Sequence, residues 1–102
     1  MLPGVNISNN VVSNYAGGGI RFEGSGTGSP LGSVPFGRIV NNTLYGGATP
    51  QGVGISVADN SGPTIMNNIV ANSVTGISVD SSSQSRTVVD TTVFQRLSLI
   101  HI

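Results

Sequence analysis

Apolar and polar residues alternate at every second position through several short stretches of this chain. The clearest stretches are Gly76-Ile-Ser-Val79 and Ile65-Met-Asn-Asn68, in which successive residues would face opposite sides of a strand. No window of about a dozen residues shows the apolar spacing of three and four that an amphipathic helix requires. The pattern therefore predicts an all-β chain made of short strands.

The stretch from Thr64 to Asp80 recurs twice upstream and once downstream in a weaker form. Each copy begins with an apolar residue, followed by a polar pair and a second apolar position, and the three complete copies end in Gly-Ile-x-apolar. In the fourth copy, Asp90-Thr91 takes the place of the polar pair and Val93 the next apolar position. The first apolar positions are Ile7, Ile39, Ile65 and Val88, so the spacings are 32, 26 and 23 residues (7 to 39, 39 to 65, 65 to 88). Periods of this length are typical of solenoids, propellers and arrays.

One coil of short strands per copy predicts a right-handed parallel β-helix of about three to four coils, with equivalent strands about 4.8 Å apart. A propeller is the second interpretation, because each blade would need roughly forty residues and four antiparallel strands. The predicted repeat domain covers residues 1–95. Its coils lie near 5–23, 38–58 and 64–80, with a partial coil at 87–95 and a loop insertion rich in Gly, Ser and Pro at 24–37.

An asparagine pair stands at the same place in three copies. If Asn10, Asn42 and Asn68 occupy the same turn in successive coils, their amides can stack as an asparagine ladder along the axis. Asparagine also tolerates the left-handed backbone region that tight turns use. Chance could align some residues in a chain so rich in Asn and Gly, but apolar positions align on both sides of the pair. A second turn position holds only Asn or Gly, which predicts a positive φ at Asn14, Gly46 and Asn72.

The run Ile-x-Asn-Asn-x-apolar followed by Gly-Ile-x-Val resembles the right-handed parallel β-helix repeats of pectate-lyase-like proteins. The resemblance covers about Val5 to Gln95. The segments 36–47 and 59–72 are most similar to repeats of very large bacterial cell-surface and secreted proteins, which implies an extracellular or cell-surface location. The same coil carries lyases, hydrolases, epimerases, adhesins and inert spacers, so the resemblance implies a fold rather than an activity.

The 102 residues include four basic and four acidic side chains, with zero net charge and no cysteine. This balance provides no electrostatic case for binding nucleic acid or an anionic membrane surface. The lack of cysteine excludes a disulfide framework and a thiolate metal site. No run of 18 apolar residues is present, so membrane insertion is not expected.

The residues at both ends of the chain predict that it is a fragment of a longer protein and that the fragment lacks caps. Met1 does not open a signal peptide, and no capping segment precedes Ile7. The fourth copy stops half-way. Residues 96–102 lose all Gly and Asn, and 97–102 resemble a translated sequencing adaptor, which makes a non-native tail the first interpretation and a strand covering the last coil the second. Neighbouring β-helix coils of the parent protein are therefore the expected partners.

Few residues on the predicted surface could catalyse a reaction or bind a metal ion. Lyases and hydrolases need clustered carboxylates together with a basic residue. The position after the third strand of each coil holds Glu23, Ala58 and Asp80, so the two carboxylates would lie roughly 9.6 Å apart, too far to share one calcium ion. Arg21 stands near Glu23, as in an exposed ion pair. We therefore predict no catalytic residue, no cofactor and no metal, and keep Arg21, Glu23 and Asp80 as candidates for a weak surface site.

Two functions are compatible with these features. The first is a non-catalytic structural or adhesive segment of a larger secreted or cell-surface bacterial protein, with a polysaccharide or a protein as a weakly bound ligand. The second is a fragment of a polysaccharide lyase or glycoside hydrolase whose catalytic coils lie outside this chain. The missing clusters of ionisable groups favour the first.

Overall fold

The computed structural model describes residues 4–24 and 34–95, which form eleven strands and no helix. Most of the strands have only three to six residues, as expected where Asn and Gly interrupt short alternating stretches. The strands are β1 (Val5–Ser8), β2 (Val11–Ser13), β3 (Gly18–Glu23), β4 (Val34–Val40), β5 (Thr43–Tyr45), β6 (Val53–Ala58), β7 (Ser61–Met66), β8 (Ile69–Ala71), β9 (Thr75–Val79), β10 (Val88–Asp90) and β11 (Val93–Gln95).

The strands assemble into three sheets in which every neighbouring pair is parallel. The first sheet has the order β1-β4-β7-β10, the second β2-β5-β8-β11, and the third β3-β6-β9. Each strand therefore pairs with its equivalent in the next repeat rather than with its neighbour along the chain. This confirms the predicted all-β class, and the parallel stacking is compatible with a β-helix-like solenoid.

The core consists of columns of aliphatic residues taken from equivalent positions of successive repeats. Register places Ile55 between Ile20 and Ile77 in the third sheet. Ile55 and Ile77 are fully buried, and Ile20 is 7% exposed. Burying an aliphatic side chain of this size contributes roughly 1.5–3 kcal/mol. Equivalent columns run through the other two sheets and contain Ile7, Ile39 and Ile65, and Val12, Leu44 and Val70.

The first strand of a repeat begins earlier than the sequence pattern indicated. β4 starts at Val34, so it includes four residues, 34–37, that were assigned to the loop insertion. Between Val34 and Gly37 the pairing with β7 shifts by one residue, because Gly37 lies opposite Pro63 while Val34 lies opposite Ser61. Such a β-bulge interrupts the strict alternation on which sequence reasoning relied. Residues 25–33 of the predicted insertion and the tail 96–102 lie outside the described residues.

The fourth repeat is one residue out of phase with the alignment made from sequence. Val89, rather than Val88, lies opposite Ile65, and Phe94 lies opposite Val70. The turn between β10 and β11 is therefore Thr91-Thr92 and not Asp90-Thr91. A slip of one residue exchanges the two faces of a strand. Accordingly, Val88 and Val93 are 54% and 58% exposed, whereas Val89 and Phe94 pack against the core.

The second turn position uses Asn and Gly for different reasons. Asn14 and Asn72 have φ values of 60° and 53°, in the left-handed region. Gly46 does not lie in that region, so the predicted positive φ is wrong there. A Cβ atom on Gly46 would instead overlap the carbonyl oxygen of Asn72 and lie 2.8 Å from the carbonyl oxygen of Gln51. Close approach of backbone, not a special φ, requires glycine at this position.

Candidate functional site

The second asparagines of the three pairs form one column along the stack. Asn10 Nδ2 donates to Asn42 Oδ1, and Asn42 Nδ2 donates to Asn68 Oδ1, both at 3.1 Å. The backbone N–H of Asn10 and that of Asn42 donate to the same two oxygens, at 3.0 Å and 2.9 Å. Asn42 and Asn68 are each only 1% exposed. The structure thus brings together all three residues proposed for the ladder, and Asn10 and Asn42 both donate to the next asparagine toward the β10 and β11 end.

The column is also tied to the strands that precede it. Asn42 Nδ2 donates to the carbonyl oxygen of Ile7 at 3.1 Å, and Asn68 Nδ2 donates to that of Ile39 at 2.8 Å. The first member of each pair has a different role, because Asn9, Asn41 and Asn67 have φ values of 60°, 58° and 56°. One asparagine therefore adopts the left-handed turn conformation and the next provides the stacked amide. These contacts are structural, and they satisfy the side-chain oxygens of Asn42 and Asn68.

Arg21 and Glu23 form an ion pair on the outer surface of the third sheet. Arg21 Nη2 lies 2.7 Å and Arg21 Nε 2.9 Å from Glu23 Oε1. The side chains are 70% and 32% exposed, so the pair contributes little to stability. A surface groove of about 320 Å³ borders Arg21 and is lined by Gly17, Gly18, Val53 and Ser56. A charged candidate therefore borders a concave surface here.

Asp80 accepts hydrogen bonds from turn residues instead of joining the ion pair of Arg21 and Glu23. Its Oδ2 accepts the backbone N–H of Asp59 at 2.9 Å, and its Oδ1 accepts the Ser82 hydroxyl at 3.0 Å and the Ser83 N–H at 3.1 Å. Ala58 occupies the register position next to Glu23, and so separates the two carboxylates. The structure therefore keeps Asp80 apart from Arg21 and Glu23. These hydrogen bonds, with that from Asp59 the largest cause, hold the pKa of Asp80 below its usual value.

Asp80 makes stability depend on pH in a definite direction. Because its folded-state pKa is lowered, its stabilising contribution is present above the ordinary aspartate value of about 3.9 and is lost as the pH falls through the folded pKa. Asp80→Asn should therefore narrow the difference in unfolding free energy between pH 6 and pH 3, as measured by urea unfolding at each pH. The unfolding free energies of Asp80→Asn and of the wild type should converge as the pH falls toward 3. An unchanged pH dependence in the variant would contradict this role.

The outward face of the second sheet is a neutral surface that sequence reasoning did not single out. Register places its side chains in two columns. In the first column Val11 is 81%, Ile69 44% and Val93 58% exposed, and in the second Tyr45 is 40% exposed. None of the eight outward residues is charged. The columns, which we call the β2-β5-β8-β11 face, are Val11, Thr43, Ile69 and Val93, and Ser13, Tyr45, Ala71 and Gln95; Ala71 among them is buried, at 9% exposed.

Alternation within β2, β5 and β8 could have identified this face from the sequence. Val11 and Ile69 occupy outward positions that polar residues usually fill in a strand with one solvated face. Exposed apolar side chains arranged together, rather than singly, are a feature of surfaces that contact a ligand or partner. Tyr45 adds an aromatic ring with a polar hydroxyl group. The face therefore combines apolar contact area with hydroxyl and amide groups for hydrogen bonding.

A buried polar contact links two turns that the sequence pattern did not relate. The hydroxyl groups of Tyr15 and Ser73 hydrogen-bond, although 58 residues separate them in the chain. Burial raises the pKa of Tyr15, and the hydrogen bond with Ser73 opposes that shift in part. Tyr15 is 8% exposed and belongs to the core cluster. The contact satisfies both hydroxyl groups and has a structural role.

Neither a metal centre nor a membrane-spanning helix is found in residues 4–24 and 34–95. No three His, Asp or Glu side chains there are grouped so that they could hold a metal ion. No helix within those ranges has the length and apolar character needed to cross a bilayer. Comparisons of the chain with protein-family models, curated proteins and solved structures give no significant match. The function is therefore inferred from the residues of this chain and their geometry.

Proposed function

We propose that this chain is a non-catalytic segment of a right-handed parallel β-helix, acting as a structural and adhesive repeat in a larger secreted or cell-surface bacterial protein. Right-handedness is expected because crossover connections between parallel strands of one sheet nearly always have that hand. The parallel pairing of equivalent strands supports the solenoid. The location is proposed from the resemblance of segments 36–47 and 59–72 to repeats of large bacterial surface and secreted proteins. The proposed partners are neighbouring coils of the parent protein and a weakly bound polysaccharide.

The proposed adhesive role rests on one observation, the neutral β2-β5-β8-β11 face. Its exposed apolar residues, Val11, Ile69 and Val93, can contact the C–H surface of a sugar ring, while Thr43 and Tyr45 can hydrogen-bond to sugar hydroxyl groups. The strand repeat of about 4.8 Å spaces these groups evenly along the stack. A neutral polysaccharide fits this face better than an acidic one, because the face contains no basic residue.

The adhesive proposal predicts that Tyr45→Ala weakens binding to a neutral polysaccharide by up to about tenfold, since aromatic stacking contributes roughly 0.5–1.5 kcal/mol. Affinity electrophoresis of the 102-residue chain in gels containing neutral or uronic-acid polysaccharides measures this binding. Phe36→Ala is the matched control, because Phe36 is an aromatic residue, 65% exposed, on a different sheet. No retardation in any neutral polysaccharide, or equal loss in both variants, would reject the adhesive function.

A second candidate function is a fragment of a carbohydrate-active enzyme. The groove that Arg21 borders favours it, because a basic residue lines a concave surface there and forms an ion pair with the carboxylate of Glu23. Under this alternative the catalytic coils lie elsewhere in the parent protein. Turnover of polygalacturonate by this chain that Glu23→Gln or Asp80→Asn abolishes would replace our proposal. Sequencing the parent reading frame also distinguishes the two functions. Many further coils without clustered ionisable residues, together with a surface anchor, would support adhesion.

A further inference from the structure

The two ends of the stack differ in hydrogen-bonding chemistry because the asparagine column has a direction. Asn10 and Asn42 both donate, through backbone N–H and side-chain amide, to the Oδ1 of the next asparagine toward the β10 and β11 end. Asn42 Oδ1 and Asn68 Oδ1 each accept two such hydrogen bonds. Asn10 Oδ1, at the β1 and β2 end, accepts none from the described residues. This end therefore presents a carbonyl oxygen placed to accept two further hydrogen bonds.

The opposite end presents the complementary group. Thr92 follows Asn68 in the column, since Val93 lies opposite Ile69. Its hydroxyl group donates to the carbonyl oxygen of Asp90 at 3.1 Å, as Asn10 Nδ2 donates to that of Ser8. Its backbone N–H, equivalent to those of Asn10 and Asn42, has no acceptor among residues 4–24 and 34–95. The column thus ends in a donor on one side and an acceptor on the other.

The edge strands beside these groups each have one strand partner in the described part of the chain. In the described residues, β1 pairs only with β4 and β2 only with β5, while β10 pairs only with β7 and β11 only with β8. Half-buried apolar residues lie at both ends: Ile7 and Val12 at one, Val89 and Phe94 at the other. Unpaired strand edges are templates for pairing with another chain. The third sheet has three strands in the described part and does not contribute to such a joint.

We propose that a second copy of this chain docks end to end on the first, with β10 and β11 of one copy beside β1 and β2 of the next. Parallel pairing then continues through the joint, and the Thr92 N–H donates to Asn10 Oδ1 of the next copy. A two-fold arrangement would instead join two like ends, so that Asn10 Oδ1 of one copy would meet no Thr92 N–H of the other. The contact is therefore heterologous, and it generates an open filament rather than a closed dimer. It relies on the proposed stack but not on the glycan surface, and the second copy takes the place that a neighbouring coil of the parent protein would occupy.

Cysteine cross-linking distinguishes these arrangements, because the natural chain has no cysteine. Asn6 and Val88 occupy the same outward column, through the pairings Asn6 with Arg38, Arg38 with Thr64, and Thr64 with Val88. In the proposed joint, Val88 of one copy lies beside Asn6 of the next, roughly 4.8 Å apart and within the Cα separation of a disulfide. Mixing Asn6→Cys with Val88→Cys under mild oxidation should yield a mixed disulfide dimer on a non-reducing gel.

Three results support or overturn the proposal. Each variant alone should give several-fold less dimer than the mixture, and so should a mixture of Arg38→Cys with Thr64→Cys, whose positions lie on interior strands. As much dimer from Asn6→Cys alone as from the mixture would indicate a two-fold contact and overturn the proposal. Equal yields in the test and control mixtures would also overturn it. Circular dichroism checks that each variant keeps its strand content.

Sedimentation velocity of the unmodified chain provides a test without mutation. The sedimentation coefficient should rise continuously with concentration, without the plateau of a closed dimer. Asn10→Ala removes the end acceptor and should shift this rise to about tenfold higher concentration, equivalent to one hydrogen bond. A monomer at all concentrations would reject the joint. Because Tyr45 does not lie at either end, glycan binding by such a monomer would still stand, so the two proposals can fail separately.

Discussion

Replacing Asn42 with alanine should lower the free energy of unfolding by about 3 kcal/mol. Asn42 is 1% exposed and forms hydrogen bonds on both sides. Its loss leaves the Ile7 carbonyl oxygen and the amides of Asn10 without their partner, and an unsatisfied buried polar group costs about 1–3 kcal/mol. Urea unfolding followed by circular dichroism measures the change.

Asn10→Ala is the matched control for Asn42→Ala, because it removes the same amide from the exposed end of the column. It breaks the hydrogen bond from Asn10 Nδ2 to Asn42 Oδ1, but Asn42 Oδ1 keeps the backbone N–H of residue 10 as a donor. We expect a loss of about 1 kcal/mol. Equal effects of the two substitutions would show that position within the column is unimportant and would contradict the ladder as a stabilising feature.

Gly46→Asn should destabilise the chain by about 3 kcal/mol or more, although equivalent positions in the first and third repeats contain asparagine. A Cβ atom at residue 46 would overlap the backbone carbonyl of Asn72, which cannot move aside without disturbing the turn. Forcing extra atoms into a packed region costs typically 1–3 kcal/mol, and more where backbone must shift. Thermal unfolding of the variant provides the measurement.

Gly17→Ala serves as the control for Gly46→Asn. A Cβ atom on Gly17 would meet no atom within 4 Å, and its φ does not lie in the left-handed region. We expect a change within about 0.5 kcal/mol, as at most surface sites. If Gly46→Asn were as mild as Gly17→Ala, the two kinds of turn residue would be interchangeable, as the sequence alone suggested.

The stacking of equivalent positions was predictable because the signal is repeated. Ile39 and Ile65 each precede an asparagine pair, and pairing equivalent strands places them in one column. The phase of the fourth repeat was not predictable, since Val88 and Val89 are both apolar and Asp90 is as polar as Thr92. Only the backbone pairing with β7 and β8 decides between the two phases.

The candidate site residues were likewise predictable from the sequence only in part. Proximity in sequence was enough to predict that Arg21 would meet Glu23, because residues two apart in a strand share a face. The contacts of Asp80 depend on the turn at residues 81–86 and on Asp59 in the previous repeat, which the repeat pattern does not describe. The exposed positions of Val11 and Ile69 followed from alternation but carried no recognisable motif.

The hydrogen bond between Tyr15 and Ser73 has a consequence for how the stack opens. In most solenoids each repeat touches only its immediate neighbours, so the outermost one can fray alone. Here a residue of the first repeat holds one of the third, and loosening the first turn also breaks a contact two repeats away. Amide hydrogen exchange near Tyr15 and near Ser73 should therefore be coupled, which links opening of the first repeat to opening of the third.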